Sequence, residues 1–304
     1  MQVQKMGTAI LEVSTIKLHD EAVVYFCEHN DRWGDAVYLG NMPKGIGGRK
    51  LPTHEKKRVA NIRKSIKQLR RIIRRNFGYD KEREAHVTLT YHGVMTDTNR
   101  LYTDFKNFFK RLRRNYSEHN FDYIAVMEPH GHGGWHIHML LKSDKPLWMT
   151  SQVAGLNFDK VRKMWRGANG SGAGGTYHSK LDDVEDFGAY FAAYFTTVIP
   201  LEVELSGDKE AIKAAGKAAV KGSRLHFYPA GFRFYRCSAG IEIPKSKKKE
   251  YGEVKGSYGV PVYEKAYVVA FEAGKSSGEW ERMQFIQVMD FDKKKGSVGD
   301  VTEC

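Results

Sequence analysis

Two short apolar runs, residues 123–127 (YIAVM) and 137–141 (IHMLL), flank a polar turn that contains Gly131, Gly133 and Gly134. Apolar runs of this length around a glycine-bearing turn predict a β-hairpin with a longer loop. If the turn centres near His132, antiparallel pairing sets Glu128 opposite His136, and His138 shares that face because side chains two apart point the same way. Ile137 and Met139 fall on the other face, so the strand buries apolar surface behind and presents imidazole in front.

Upstream, residues 53–76 carry Val59, Ile62, Ile66, Leu69 and Ile73 at helical spacing, with Thr53 as an acceptable cap. HVTLTY at 86–91 alternates as a strand, with Val87, Leu89 and Tyr91 on one face and His86, Thr88 and Thr90 on the other. Asp97 or Thr98 then caps a helix striped by Leu101, Phe105, Phe108, Phe109 and Leu112. Downstream of the hairpin, Phe158–Arg166 is a further helix. Strand, helix, strand, strand, helix is the beginning of a split β-α-β arrangement, and predicts an α+β fold with an antiparallel sheet and flanking helices. Further along, residues 182–197 and 208–221 are expected to be helical, 224–236 a hairpin about Pro229 and Gly231, and 244–250 a lysine-rich linker. GSGAGG at 170–175 reads as a flexible loop, and FEAGKSS at 271–277 has Val269 where a phosphate loop needs its first glycine, so no nucleotide-hydrolysing site is expected. Three segments result: a 1–50 arm of unassigned role with one β-like run at 22–27, a 51–245 domain led by the basic helix, and a 246–304 β-rich tail.

Charge sharpens the picture. Lys and Arg number 49 against 36 Asp and Glu, a formal net charge of +13, and 12% of residues are aromatic. This balance favours a polyanionic partner, nucleic acid first and a membrane surface second. The 53–76 helix concentrates the excess: Arg63, Lys67, Arg70, Arg71 and Arg74 lack acidic partners at helical spacing and form an expected phosphate-binding surface. In 224–236, Arg224 and Arg233 interleave with aromatic residues, which suits single-stranded nucleic acid or a sheet with one wet face. No apolar run approaches a spanning helix and the N-terminus lacks the order of a signal peptide, so the expected location is the cytoplasm, with no membrane partner. Cys27, Cys237 and Cys304 form no C-x-x-C pair and are expected to be reduced and incidental, without a disulfide framework or a thiolate zinc site.

One carboxylate and two imidazoles on one patch of sheet are metal-ligand types at metal-ligand spacing. Tyr190 and Tyr194, four apart in the 182–197 helix, lie on one face, and a tyrosine hydroxyl is a competent nucleophile once activated.

Taken together, HVTLTY, the WHIH of 135–138 with Glu128 upstream, and AYFAAYF resemble the HUH endonucleases, specifically the two-tyrosine rolling-circle replication initiators of small phages and plasmids. The resemblance covers roughly residues 55–245. It implies a ferredoxin/RRM-like core, and a divalent cation, Mg2+ or Mn2+, held by Glu128, His136 and His138. It also implies a site-specific nick in single-stranded or locally melted origin DNA by Tyr190, giving a 5′-phosphotyrosine and a free 3′-hydroxyl, with Tyr194 for the second cleavage. A separate helicase and host replication proteins are the implied partners. Ala193 and Thr197 stand where the family pattern has lysines, so another basic group, Lys180 or Arg224, is expected to serve the phosphate. The alternatives are weaker. A cupin needs a Glu shortly after His-x-His, where Leu141, Lys142 and Ser143 follow. A non-catalytic single-stranded nucleic-acid-binding protein leaves the carboxylate, histidines and tyrosines unused. A relaxase generally shows a third histidine in the cluster, and the related transposases are much shorter.

Overall fold

The computed structural model describes residues 10–13, 18–40, 54–130, 133–149, 155–167, 173–181, 227–229, 231–271 and 282–293. The expected helices at 182–197 and 208–221 lie outside them. The chain divides into two compact units, Arg58–Ile243 and Met1–Lys57 with Pro244–Cys304. In chain order the described elements are β1 (Ile10–Val13), β2 (Val23–Glu28), β3 (Trp33–Leu39), α1 (His54–Asn76), β4 (Glu84–Tyr91), α2 (Thr98–Asn115), β5 (Phe121–Pro129), β6 (Trp135–Ser143), α3 (Phe158–Arg166), β7 (Ala173–Lys180), β8 (Tyr235–Cys237), β9 (Lys247–Glu250), α4 (Tyr251–Tyr258), β10 (Tyr263–Phe271) and β11 (Arg282–Asp292).

In the Arg58–Ile243 unit the sheet order is β7-β4-β6-β5-β8, every neighbouring pair antiparallel. The run β4-α2-β5-β6-α3-β7 with this order is a ferredoxin-like α+β core. The sequence explains each helix. Asp97 caps α2, its carboxylate accepting the N–H groups of Asn99 and Arg100 at 2.8 and 3.1 Å. The stripe Leu101, Phe105, Phe108, Phe109 and Leu112 is buried, and Phe105 and Phe109 pack their rings 5.1 and 4.4 Å from that of Tyr123 on β5. Asn157 caps α3. Its Trp165 meets Phe108 edge-on at 5.8 Å and donates its indole N–H to the Thr90 carbonyl at 2.7 Å, which fixes α3 to both α2 and β4. Of the α1 stripe, Ile66, Leu69 and Ile73 enter the same core.

Three expectations are corrected here. Residues 173–175 of the glycine-rich stretch are strand rather than loop. A side chain at Gly174 would stand 2.7 Å from the Tyr91 backbone, so the glycine lets β7 approach β4. Among the described residues 224–236 forms no hairpin. Tyr228 and Phe234 turn into the core, and the single strand β8 adds to the free edge of β5. The lysine-rich linker ends in β9, an edge strand paired with β2. Its polar sequence hid it, because an edge strand held by backbone bonds needs little apolar surface and lysines guard such edges.

The second unit is a six-stranded sheet of order β1-β10-β11-β3-β2-β9. The segments read from sequence as an arm and a tail therefore meet in one sheet: β3 pairs with β11 and β1 with β10. Its core joins Val24, Phe26, Ala36, Met289 and Phe291 to Tyr251, Val254 and Tyr258 of α4.

Phe108→Ala should lower the unfolding free energy by about 3–5 kcal/mol, since it empties a fully buried ring site. Asp97→Ala should cost about 1 kcal/mol through the lost cap. Denaturant midpoints at constant slope would check both, and an equal loss at the two positions would refute the packing role given to Phe108.

Candidate metal centre

The β5–β6 hairpin has the register Glu128↔His136 and Val126↔His138, which puts the carboxylate and both imidazoles on one face of the sheet. The turn closes through His130 N–H to the Gly134 carbonyl at 2.6 Å and Gly133 N–H to the His130 carbonyl at 2.9 Å, with Gly133 at φ 85°, a conformation that favours glycine. Ile137 and Met139, fully buried on the opposite face, hold β6 in place from behind.

Glu128 Oε2 stands 3.4 Å from His136 Nε2 and 3.1 Å from His138 Nε2, and the two Nε2 atoms are 2.9 Å apart. All three residues are buried, at 2, 6 and 6% exposure. Burial by itself pushes the Glu128 carboxyl up, but the contacts with His136 and His138 together outweigh it and bring the group down to about 2, so it is anionic at neutral pH.

Two further residues, both on β4, complete the cluster. Thr88 is directly opposite His138, and its Oγ1 lies 3.2 Å from His138 Nδ1; His86 Nε2 lies 3.2 Å from the same nitrogen. Burial, and then the neighbouring His138 ring, push the His86 imidazole down to about 3. A neutral His86 can accept the N–H of His138 Nδ1, which leaves the Nε2 lone pair of His138 directed at Glu128 and His136. His130 stacks on His136 with ring centres 4.0 Å apart.

The donor set fits a divalent cation. Two imidazole nitrogens aimed at each other at 2.9 Å repel unless a positive charge lies between them, and one carboxylate with two imidazoles suits ions between the hard and borderline classes. The sequence singled out the three ligands and put His86 and Thr88 on one strand face. It did not join that face to theirs, because the β4–β6 pairing is not local. Tyr177, opposite Thr88 on β7 and 64% exposed on the same face, had no sequence signal.

Of the other expected site residues, Tyr190, Tyr194 and Arg224 lie outside the described residues, as does the side chain of Arg63. Lys67, Arg70 and Arg71 are half-buried on α1. Arg74 is buried at 7%, which withdraws it from a phosphate-facing surface. Arg233 is exposed. Lys180 is opposite Ala85, so it points to the helix-bearing face, where it pairs with Glu82 at 2.6 Å; it does not stand beside the cluster as expected. Among the described residues no helix is long and apolar enough to cross a membrane.

Residues 84–198 match the model of a family described as replication-associated protein, of the ORF2 type. The matched stretch starts at β4 and contains α2, the β5–β6 hairpin, α3, β7 and both tyrosines. No curated protein and no solved structure gives a match. The family match supports a rolling-circle replication initiator.

His86→Ala should weaken divalent-metal binding roughly 10–100-fold by releasing the His138 ring, as losses of outer-shell partners do. Calorimetric titration with Mn2+ would measure it. Wild-type affinity in a folded His86→Ala protein would remove His86 from the cluster's support.

Proposed function

We propose that the chain is an HUH-type, two-tyrosine initiator: a metal-dependent, site-specific endonuclease and strand transferase that nicks single-stranded or locally melted origin DNA to start rolling-circle replication. The observation that carries the reading is the convergence of Glu128, His136 and His138 on one face of an antiparallel sheet, inside the stretch that matches a replication-associated family. A bound Mg2+ or Mn2+ would polarise a phosphodiester oxygen and offset the charge that develops during in-line attack. The protein's part is orientation. Glu128 supplies the negative charge, and Thr88 and His86 hold the tautomer of His138.

In the proposed reaction the Tyr190 hydroxyl loses its proton and its oxygen bonds to phosphorus. The bond from phosphorus to the 3′ oxygen breaks, and that oxygen leaves as a 3′-hydroxyl after taking up a proton. The phosphotyrosine retains the energy of the broken bond, so rejoining needs no nucleotide hydrolysis, in keeping with Val269 where a phosphate loop would start. Tyr194, one helical turn on, would make the second cleavage that releases the circle. Lys67, Arg70 and Arg71 supply sequence-independent grip. A separate helicase and host replication proteins would melt and copy the duplex, since this chain carries no phosphate loop of its own.

Incubation of the protein with single-stranded DNA from its own replicon and Mn2+ should give a covalent adduct on a denaturing gel. Tyr190→Phe should abolish it, while Tyr194→Phe permits it and blocks release of closed circles. DNA linked mainly to Tyr194 in the wild type would reverse the assignment. His136→Ala should abolish cleavage and leave DNA binding largely intact, with Glu128→Gln acting more weakly; binding without any adduct in the wild type would favour a non-catalytic binding protein.

Tyr177, exposed beside Thr88, offers a base a stacking surface. Its change to Ala should cost about 1–3 kcal/mol in single-strand binding, and Phe should restore it. Replacing Lys67, Arg70 and Arg71 should flatten the slope of log K against log salt by about 0.7 per lost phosphate contact. An unchanged slope would leave α1 as a solvated face only.

A further inference from the structure

A second buried trio lies in the other unit. Cys27 and His29 sit on or just beyond β2 and Asp35 on β3, with exposures of 0, 1 and 1%. One donor atom from each, a thiol sulfur, a ring nitrogen and a carboxylate oxygen, falls within 4.8 Å of the others. His29 Nε2 and Asp35 Oδ2 are 2.7 Å apart.

The placement follows the same rule as the Glu128 cluster. There, a carboxylate is the cross-strand partner of the first His in His-x-His. Here, Asp35 is the cross-strand partner of Cys27 in Cys-x-His. In both, antiparallel register supplies the carboxylate and the two-residue repeat supplies the third ligand.

The connection between β2 and β3 is held firmly. His29 N–H and Asn30 N–H both reach the Trp33 carbonyl, at 2.9 and 3.3 Å. The Asn30 side chain accepts the N–H groups of Arg32 and Trp33 at 2.9 and 2.8 Å. Tyr258 of α4 donates to the Asn30 carbonyl at 2.8 Å. Arg32 forks onto Asp292 at 2.8 and 2.9 Å, so a neighbouring cation already engages a different carboxylate.

We infer that Cys27, His29 and Asp35 form a second, structural metal site that takes a borderline divalent cation of the Zn2+ class and ties β2 to β3. A thiolate, an imidazole and a carboxylate are the three zinc-ligand types, and sulfur selects against Mg2+ and Mn2+. Buried groups of this kind are retained where they are paired or where they coordinate a metal. The sequence offered no sign of it because the cysteine is single: its partners come from a Cys-x-His step and a cross-strand aspartate rather than from Cys-x-x-Cys. The site is independent of the endonuclease reading, and the absence of sulfur from the Glu128, His136 and His138 set allows the two to be told apart.

The test uses Co2+ with the full-length chain, reading the thiolate-to-cobalt charge-transfer absorption that only a sulfur-ligated ion gives. The band should appear at one Co2+ per chain, persist in a His136→Ala/His138→Ala protein, and disappear in Cys27→Ser. Should Cys27→Ser not fold, Cys237→Ser/Cys304→Ser reads the same thing in reverse: with Cys27 its single thiol, that protein must keep the band. Cobalt bound without the band in the wild type, or a band lost from Cys237→Ser/Cys304→Ser, would overturn the site. Failure of DNA nicking with the band intact would count against the nuclease reading alone.

Discussion

The register between β5 and β6 is the constraint on which the candidate nuclease centre depends. β6 is the middle strand of its sheet, with β4 and β5 on either side, and it is buried along almost its whole length. A slip of one residue would send His136 and His138 into the helix-facing core and bring Ile137 and Met139 out. Packing of those apolar residues against α2, α3 and their neighbours therefore decides where the imidazoles point. The polar face has its own condition: a buried imidazole needs a partner, and Glu128, Thr88 and His86 supply them from the strands on both sides.

Much of this was legible in the chain. Alternation around Gly133 was enough to place Glu128 across from His136, and the apolar stripe with Asp97 before it was enough to start and orient α2. Phe158–Arg166 was readable for the same reason: local spacing sets a helix. What could not be read depends on pairing between distant segments. His86 reaches His138 across 52 residues, and β3 meets β11 from the other end of the chain. The lysines of β9 carry no apolar alternation, so they resemble a linker until β2 is beside them. Lys180 failed as a phosphate partner because its parity on β7, which sends it to the helix side, is fixed only by pairing with β4.

The two carboxylate-bearing trios show how little sequence such a centre requires. Each uses one tight reversal and three residues, and each draws its polar atoms from a strand pair whose other face is packed by apolar side chains. They differ in donor chemistry. Oxygen and nitrogen donors tolerate several ions, whereas a sulfur narrows the choice. A single chain could in this way keep an exchangeable ion and a fixed one apart by ligand type alone.

The order in which the strands leave the ribosome follows from the topology. All described strands of the β7-β4-β6-β5-β8 sheet come from Arg58–Ile243, so that sheet has every partner in hand once this stretch is made. The other sheet must wait. Arg32 and Asp292 are 260 residues apart, a delay of roughly 15–50 s at ordinary elongation rates. Until β9 and β11 arrive, the β2–β3 pair lacks the neighbours that cover its two edges. Chaperone demand during translation should therefore fall on the first 40 residues, while the unit holding Glu128, His136 and His138 is the earlier of the two to close.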